Sequence, residues 1–138
     1  QRGNSGLQVD LEATIRSIVG ADDAGLQVLL SAVGDRANHA ALDLAEVLAT
    51  RRGLRDRRFR IARAQHVRPT DLVRFATEHI LTSALPHSIL HDGRWIEDQL
   101  GPELARTSFP FRALLDVGAT ISFGRDNVSQ STTPTDGR

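Results

Sequence analysis

Apolar residues fall along the chain in two alternating patterns. Leu11, Ile15, Ile18 and Val19 recur at helical spacing behind Asp10, a residue suited to cap a helix, and Gly25 stops the pattern. A helix is therefore expected over residues 11–24, with Gly20 its one weak point. The unbroken apolar run at 26–30 reads as a buried strand. Asp35 opens a second helix over 35–50, with Ala41, Leu44, Ala45 and Leu48 as its apolar stripe. Residues 59–62 read as a second strand. A third helix follows Pro69 on Leu72, Val73, Phe75 and Ala76, and 80–84 read as a third strand ended by Pro86. Residues 85–93 read as a long loop, 95–100 and 111–117 as helical, and 120–123 as a fourth strand behind Gly118. From Asn127 the sequence is polar, which predicts a folded unit over 1–126 and a loose tail over 127–138.

Helices alternating with apolar, non-alternating strands predict a parallel α/β sheet with right-handed crossovers. The length of 138 residues fits one domain, and 40% hydrophobic with 25% charged residues fits a folded chain. All 17 basic residues are arginine, balanced by 17 acidic ones, which argues against a generally basic nucleic-acid binder. The absence of cysteine excludes disulfides, thiolate metal sites and a Cys nucleophile. No apolar run approaches the ~18 residues of a membrane span, and the first residues lack a signal-peptide core, so a cytoplasmic protein without a membrane partner is expected. The absence of an initiator Met leads to the expectation of a processed chain or one cut from a longer protein.

A familiar series of landmarks begins at Ala32-Val33-Gly34-Asp35-Arg36-Ala37-Asn38. It continues through Arg60-Ile61-Ala62-Arg63-Ala64-Gln65, Ser83-Ala84-Leu85-Pro86, Leu100-Gly101-Pro102-Glu103, Leu114-Leu115-Asp116-Val117-Gly118-Ala119 and Phe123-Gly124-Arg125-Asp126. In this order the segments resemble the metal-dependent amidohydrolase superfamily, in the branch called amidohydrolase family three. The likeness runs from about Leu7 to Pro134. It implies a TIM-type barrel, of which this chain resembles the fifth to eighth strands. The fold expected is thus α/β, a (βα)₄ half of such a barrel. The first four strands, with the family's His-x-His pair, are expected to be absent, and the helix after the last strand to be missing or truncated.

The resemblance also implies a divalent metal, held by a His ending the fifth strand and a His ending the sixth. An Asp ending the eighth strand would be both ligand and proton acceptor. Here those positions hold Ser31, Arg63 and Asp126, with Ala62 for the acid beside Arg63 and Arg125 for the family's Ser. Arg has no lone pair to give a metal, and a neutral Ser hydroxyl is a poor ligand beside imidazole. No metal and no cofactor are therefore expected, although the family would use zinc or another divalent ion. The losses fall on active-site positions while the scaffold landmarks survive. That pattern fits selection for a non-hydrolytic role or deliberate editing, between which the residues do not choose.

Asp126, the retained family residue, is either a general base or, as favoured, an inert partner of Arg63 or Arg125. Arg63 and Arg125 are candidates for binding a small carboxylate or phosphate at the old metal mouth, against a plainer role as ion-pair partners. Ser31 as a nucleophile would need a base beside it, and none is placed for it. His87 and His91 have chelating helical spacing beside Asp92 but fall in the expected loop, so a surface role is read. His39, His66 and His79 are isolated. Residues 51–60 hold six arginines and one acid, which read as a solvated linker after a helix C-terminus.

A half-barrel leaves two open sheet edges and one bare face. Closure by a homodimer or by a complementary half-barrel would cover both. The expected role is a non-catalytic, self-assembling scaffold or binding module. The competing reading is a metal-dependent hydrolase fragment acting on C–N bonds with ligands supplied by a partner chain.

Overall fold

The computed structural model describes residues 10–53 and 55–124, apart from the side chains of His91, Arg94 and Leu100. The anticipated tail and residues 125 and 126 lie outside them. Helix α1 (Leu11–Asp23) starts as its sequence predicts: an Asp10 carboxylate oxygen accepts from the Ala13 N–H at 3.1 Å. Then come β1 (Leu29–Ala32), α2 (Asp35–Arg52) and β2 (Arg60–Arg63). A 3₁₀ turn over Pro69–Asp71 leads into α3 (Leu72–Thr77), followed by β3 (Leu81–Ala84). Helices α4 (Ser88–Leu100), α5 (Pro102–Arg106) and α6 (Phe111–Asp116) precede β4 (Thr120–Phe123).

The strands form one sheet in the order β1-β2-β3-β4, each pair parallel. This is the α/β fold of a partial TIM-type barrel, with four parallel strands. Helices cover one face. There Ala32, Ile61, Thr82 and Ala84 of the strands are buried with Leu42, Leu48, Phe75 and Leu114 of the helices. No helix among the described residues is long and apolar enough to cross a membrane.

Two expectations need correction. The first strand lies at Leu29–Ala32 instead of 26–30. The hydrogen-bonded ladder to β2 begins only at the Val28 carbonyl, which accepts from Arg60, and Leu26 is left exposed. An apolar run records where burial is wanted, and the ladder decides which of its residues pair. Second, 85–93 is no loop. The chain turns at Pro86 and His87 and enters α4 directly, with Ile96 on its buried side and Gly93 within it. Gly93 and the polar His91-Asp92 pair interrupt the apolar periodicity without interrupting the helix.

Candidate functional site

In barrels of parallel strands, chemistry gathers at the C-terminal ends of the strands. Register places the candidate positions there. Ser31 pairs with Ala62, Ala62 with Ser83, and Ser83 with Ser122, one row across the sheet. The row nearer the strand starts is Leu29, Arg60, Leu81 and Thr120. These rows lie on the face that no helix covers: Leu29 is 56% exposed, whereas Ala32, on the helix side of the same strand, is 2%. Ser31 is thus exposed on the bare face, and none of its register partners is a base.

Arg63 ends β2 in a left-handed conformation, φ 79°, and Ala64 follows at φ 44°. Such angles cost non-glycine residues of order 1 kcal/mol or more each, so the surrounding fold must impose this turn. The Ala64 N–H donates to the Ala32 carbonyl at 2.9 Å, and Ala64 is fully buried. Arg63 is itself engaged in an interaction. Asp126 and Arg125 fall outside the described residues.

Three further side chains, of which the sequence pattern offers only His66 and that as isolated, tie these segments together. Asn38 is fully buried, and its amide nitrogen lies 2.9 Å from the Gly34 carbonyl and 3.0 Å from that of His66. It ties the loop after β1 to the segment after β2. The His66 Nδ1 lies 2.8 Å from the Ser108 hydroxyl, which donates its own proton to the Leu104 carbonyl at 2.6 Å. With that proton committed, the Ser108 oxygen is placed to accept from a proton on His66 Nδ1. Burial pushes its pKa below the usual imidazole value, against the opposing pull of Asp35 and Asp92. The third is Arg60. It belongs to β2, and its Nη1 donates to Ser83 Oγ at 2.7 Å and Ser122 Oγ at 3.2 Å.

The expected solvated linker is also corrected. Arg55 and Arg57 both grip the buried Asp22 carboxylate, Arg57 Nε at 3.0 Å, and Arg52 pairs with Asp23 at 2.6 Å. These cations fasten α1 to the approach to β2. Of the remaining histidines, His39 bonds the buried Asp71 through Nδ1 at 2.9 Å, and His79 occupies the turn before β3 at φ 54°. His87 caps α4 and His91 lies within it, so their spacing is helical after all. Among the described residues no three His, Asp or Glu side chains are grouped to hold a metal ion.

A cleft of about 960 Å³ opens at the other end of the sheet, lined by residues 55–59 and 75–81 and the second half of α2. It lies at the strand starts, away from Ser31 and Arg63. It is a gap beneath the crossovers, not the mouth where barrel chemistry sits.

A parallel four-stranded sheet with its helices on one side is the architecture of part of a TIM-type barrel. The sequence model of the amidohydrolase family matches residues 8–136, and the chain belongs to that family. It is 42% identical over 125 residues to the protein LONG AFTER FAR-RED 3 of Arabidopsis thaliana, covering 89% of this chain and 21% of that one. It is 29% identical over 123 residues to the putative amidohydrolase YtcJ of Bacillus subtilis (strain 168), covering 88% and 23%. Two crystal structures of uncharacterized metal-dependent hydrolases superpose on it. That from Pyrococcus furiosus has a TM-score of 0.79 at 28% identity, over 91% of this chain and 25% of its own. That from Pyrococcus horikoshii OT3 has a TM-score of 0.80 at 30% identity, over 92% and 24%. The chain spans about a quarter or less of the length of these relatives.

Proposed function

We propose that this amidohydrolase-family half-barrel is a module that completes a barrel without metal chemistry of its own. The observation that carries the reading is the donor set at the strand ends. Ser31 on β1 and Arg63 ending β2 stand where the family resemblance calls for imidazole. A guanidinium stays protonated and has no lone pair to give, and a hydroxyl without a base stays neutral. A single carboxylate at Asp126 does not make a divalent-metal site. The residues present do not fit the family's metal, and no hydrolytic step is derived through one. The half-sheet's bare face and open edges make covering by four further strands the natural use of this fold.

Zinc binding tests this directly. The purified chain, titrated with zinc and measured by mass spectrometry of bound metal, is expected to hold much less than one equivalent. The double variant Ser31→His, Arg63→His returns two imidazoles to strand ends whose backbone is already in place. Its zinc affinity is expected to rise at least about tenfold. One equivalent of zinc on the unaltered chain, with chelator-sensitive cleavage of a C–N bond, would overturn the proposal and restore the hydrolase reading.

A further inference from the structure

The cleft at the strand starts, about 960 Å³, has room for a small organic molecule. Its lining explains the room. Ala45 and Ala49, one turn apart on α2, and Ala76 of α3 all line it, and their short side chains leave open what longer ones would fill. The buried Phe59 and Ile80 back it with apolar surface.

Two polar atoms of the lining residues are unsatisfied. The Arg57 side chain is only 10% exposed. Its Nε donates to Asp22 at 3.0 Å and its Nη1 to the Gly53 carbonyl at 2.7 Å, whereas Nη2 is buried without a hydrogen-bond partner among the described residues. Glu78 accepts from Arg74 through Oε1 at 2.6 Å, and its Oε2 is likewise buried and unpartnered among the described residues. Buried polar groups are as a rule paired. Both residues line the cleft, so a group that satisfies these atoms has to enter through it.

The chemistry of that group follows from the charges. Arg57 already has its counter-charge in Asp22, and Glu78 has its own in Arg74. What remains is one donor and one acceptor. An anion would meet the Glu78 carboxylate, and a cation the Arg57 guanidinium. A neutral ligand avoids both. A hydroxyl on an aromatic ring supplies an acceptor and a good donor at one end of an apolar body.

We propose that the cleft binds a neutral hydroxylated aromatic molecule, whose hydroxyl accepts from Arg57 Nη2 and donates to Glu78 Oε2. The site lies at the opposite end of the sheet from Ser31 and Arg63 and binds without chemistry. It stands or falls independently of the metal-free reading.

Isothermal titration calorimetry at pH 7 tests it, with 2-naphthol as the probe. One molecule is expected to bind per chain. 2-Methoxynaphthalene accepts but does not donate, and it is expected to bind at least about tenfold more weakly, because it leaves the Glu78 oxygen unpaired. 2-Naphthoate, an anion on the same ring, is expected to be weaker by at least about the same factor. Ala49 takes part in neither ion pair, and Ala49→Phe fills the cleft. That variant is expected to lower the affinity for 2-naphthol at least about tenfold, with circular dichroism reporting that the fold is kept. Should it not fold, Ala49→Leu reads the same question. Absence of 2-naphthol binding overturns the proposal. Equal binding of the methoxy compound overturns it too, because apolar contact alone then accounts for the affinity. So does undiminished binding to the filled variant, since the probe then sits elsewhere. N-acetyltyrosinamide carries the same hydroxyl on a peptide, and tighter binding of it than of 2-naphthol would make the occupant a partner's tyrosine and sink the small-molecule proposal.

Discussion

Asn38 has two amide protons and four carbonyl oxygens within reach, and the nearest two, from Gly34 and His66, take them. Asn38→Asp would turn this donor into an acceptor surrounded by acceptors in a fully buried space. A loss of about 3 kcal/mol is expected in urea unfolding at pH 7. His66 makes a pH prediction. Its pKa is lowered in the fold from an ordinary value of 6.5, mainly by burial. Between the lowered value and about 6.5 the unfolded chain binds more protons. This contribution to stability is therefore complete above about pH 6.5 and is lost as pH falls through the lowered value. His66→Gln should flatten that part of the profile, read as the urea midpoint at pH 5 against pH 7.5. The contrast at this scale is instructive. The strand-end places of Ser31 and Arg63 were legible because Arg63 sits inside a contiguous motif and Ser31 directly precedes one. The contacts of Asn38, Arg60 and the His66–Ser108 pair were not, because each acts on a group that only strand register or a crossover brings near.

At the scale of elements, charge pairs decide how the helices sit. Arg74 on α3 reaches Asp43 and Glu46 of α2 at 2.9 and 3.0 Å, and Glu78 at 2.6 Å. Asp22 at the end of α1 is held by Arg55 and Arg57. Burial works to raise the Asp22 pKa, and the two guanidinium groups overcome it, leaving the carboxyl below its usual 3.8. Asp22→Asn leaves the nearly buried Arg57 without its counter-charge, so a loss of about 2–3 kcal/mol is expected at pH 7. A lowered pKa gives stability above the ordinary value that is lost as pH falls through the lowered one. The gap between variant and unaltered chain should shrink in unfolding measured near pH 3. Helix capping at Asp10 and the breaks at Gly25 and Gly118 were readable because they are local. The limits of β1 and the extent of α4 were not, because one depends on a neighbouring strand's ladder and the other on tolerance of Gly93.

At the scale of the molecule, the helix-covered and bare faces of the sheet have different jobs. Leu29, 56% exposed, contributes little to the isolated fold. Leu29→Ser is expected to leave unfolding stability within about 0.5 kcal/mol. A residue of the helix-covered face would show the opposite: Ile61→Ala, at a fully buried position, should cost about 2–5 kcal/mol in unfolding. The order β1-β2-β3-β4 has one further consequence, in time. Each strand pairs only with the strands before and after it in the chain, so no pairing has to wait for a distant segment. Ordering can proceed one crossover at a time, with loop-closure costs set by neighbouring units. During synthesis β1 and β2 can pair while β4 is still to be made, so one edge of the sheet is the first strand to emerge and the other the last.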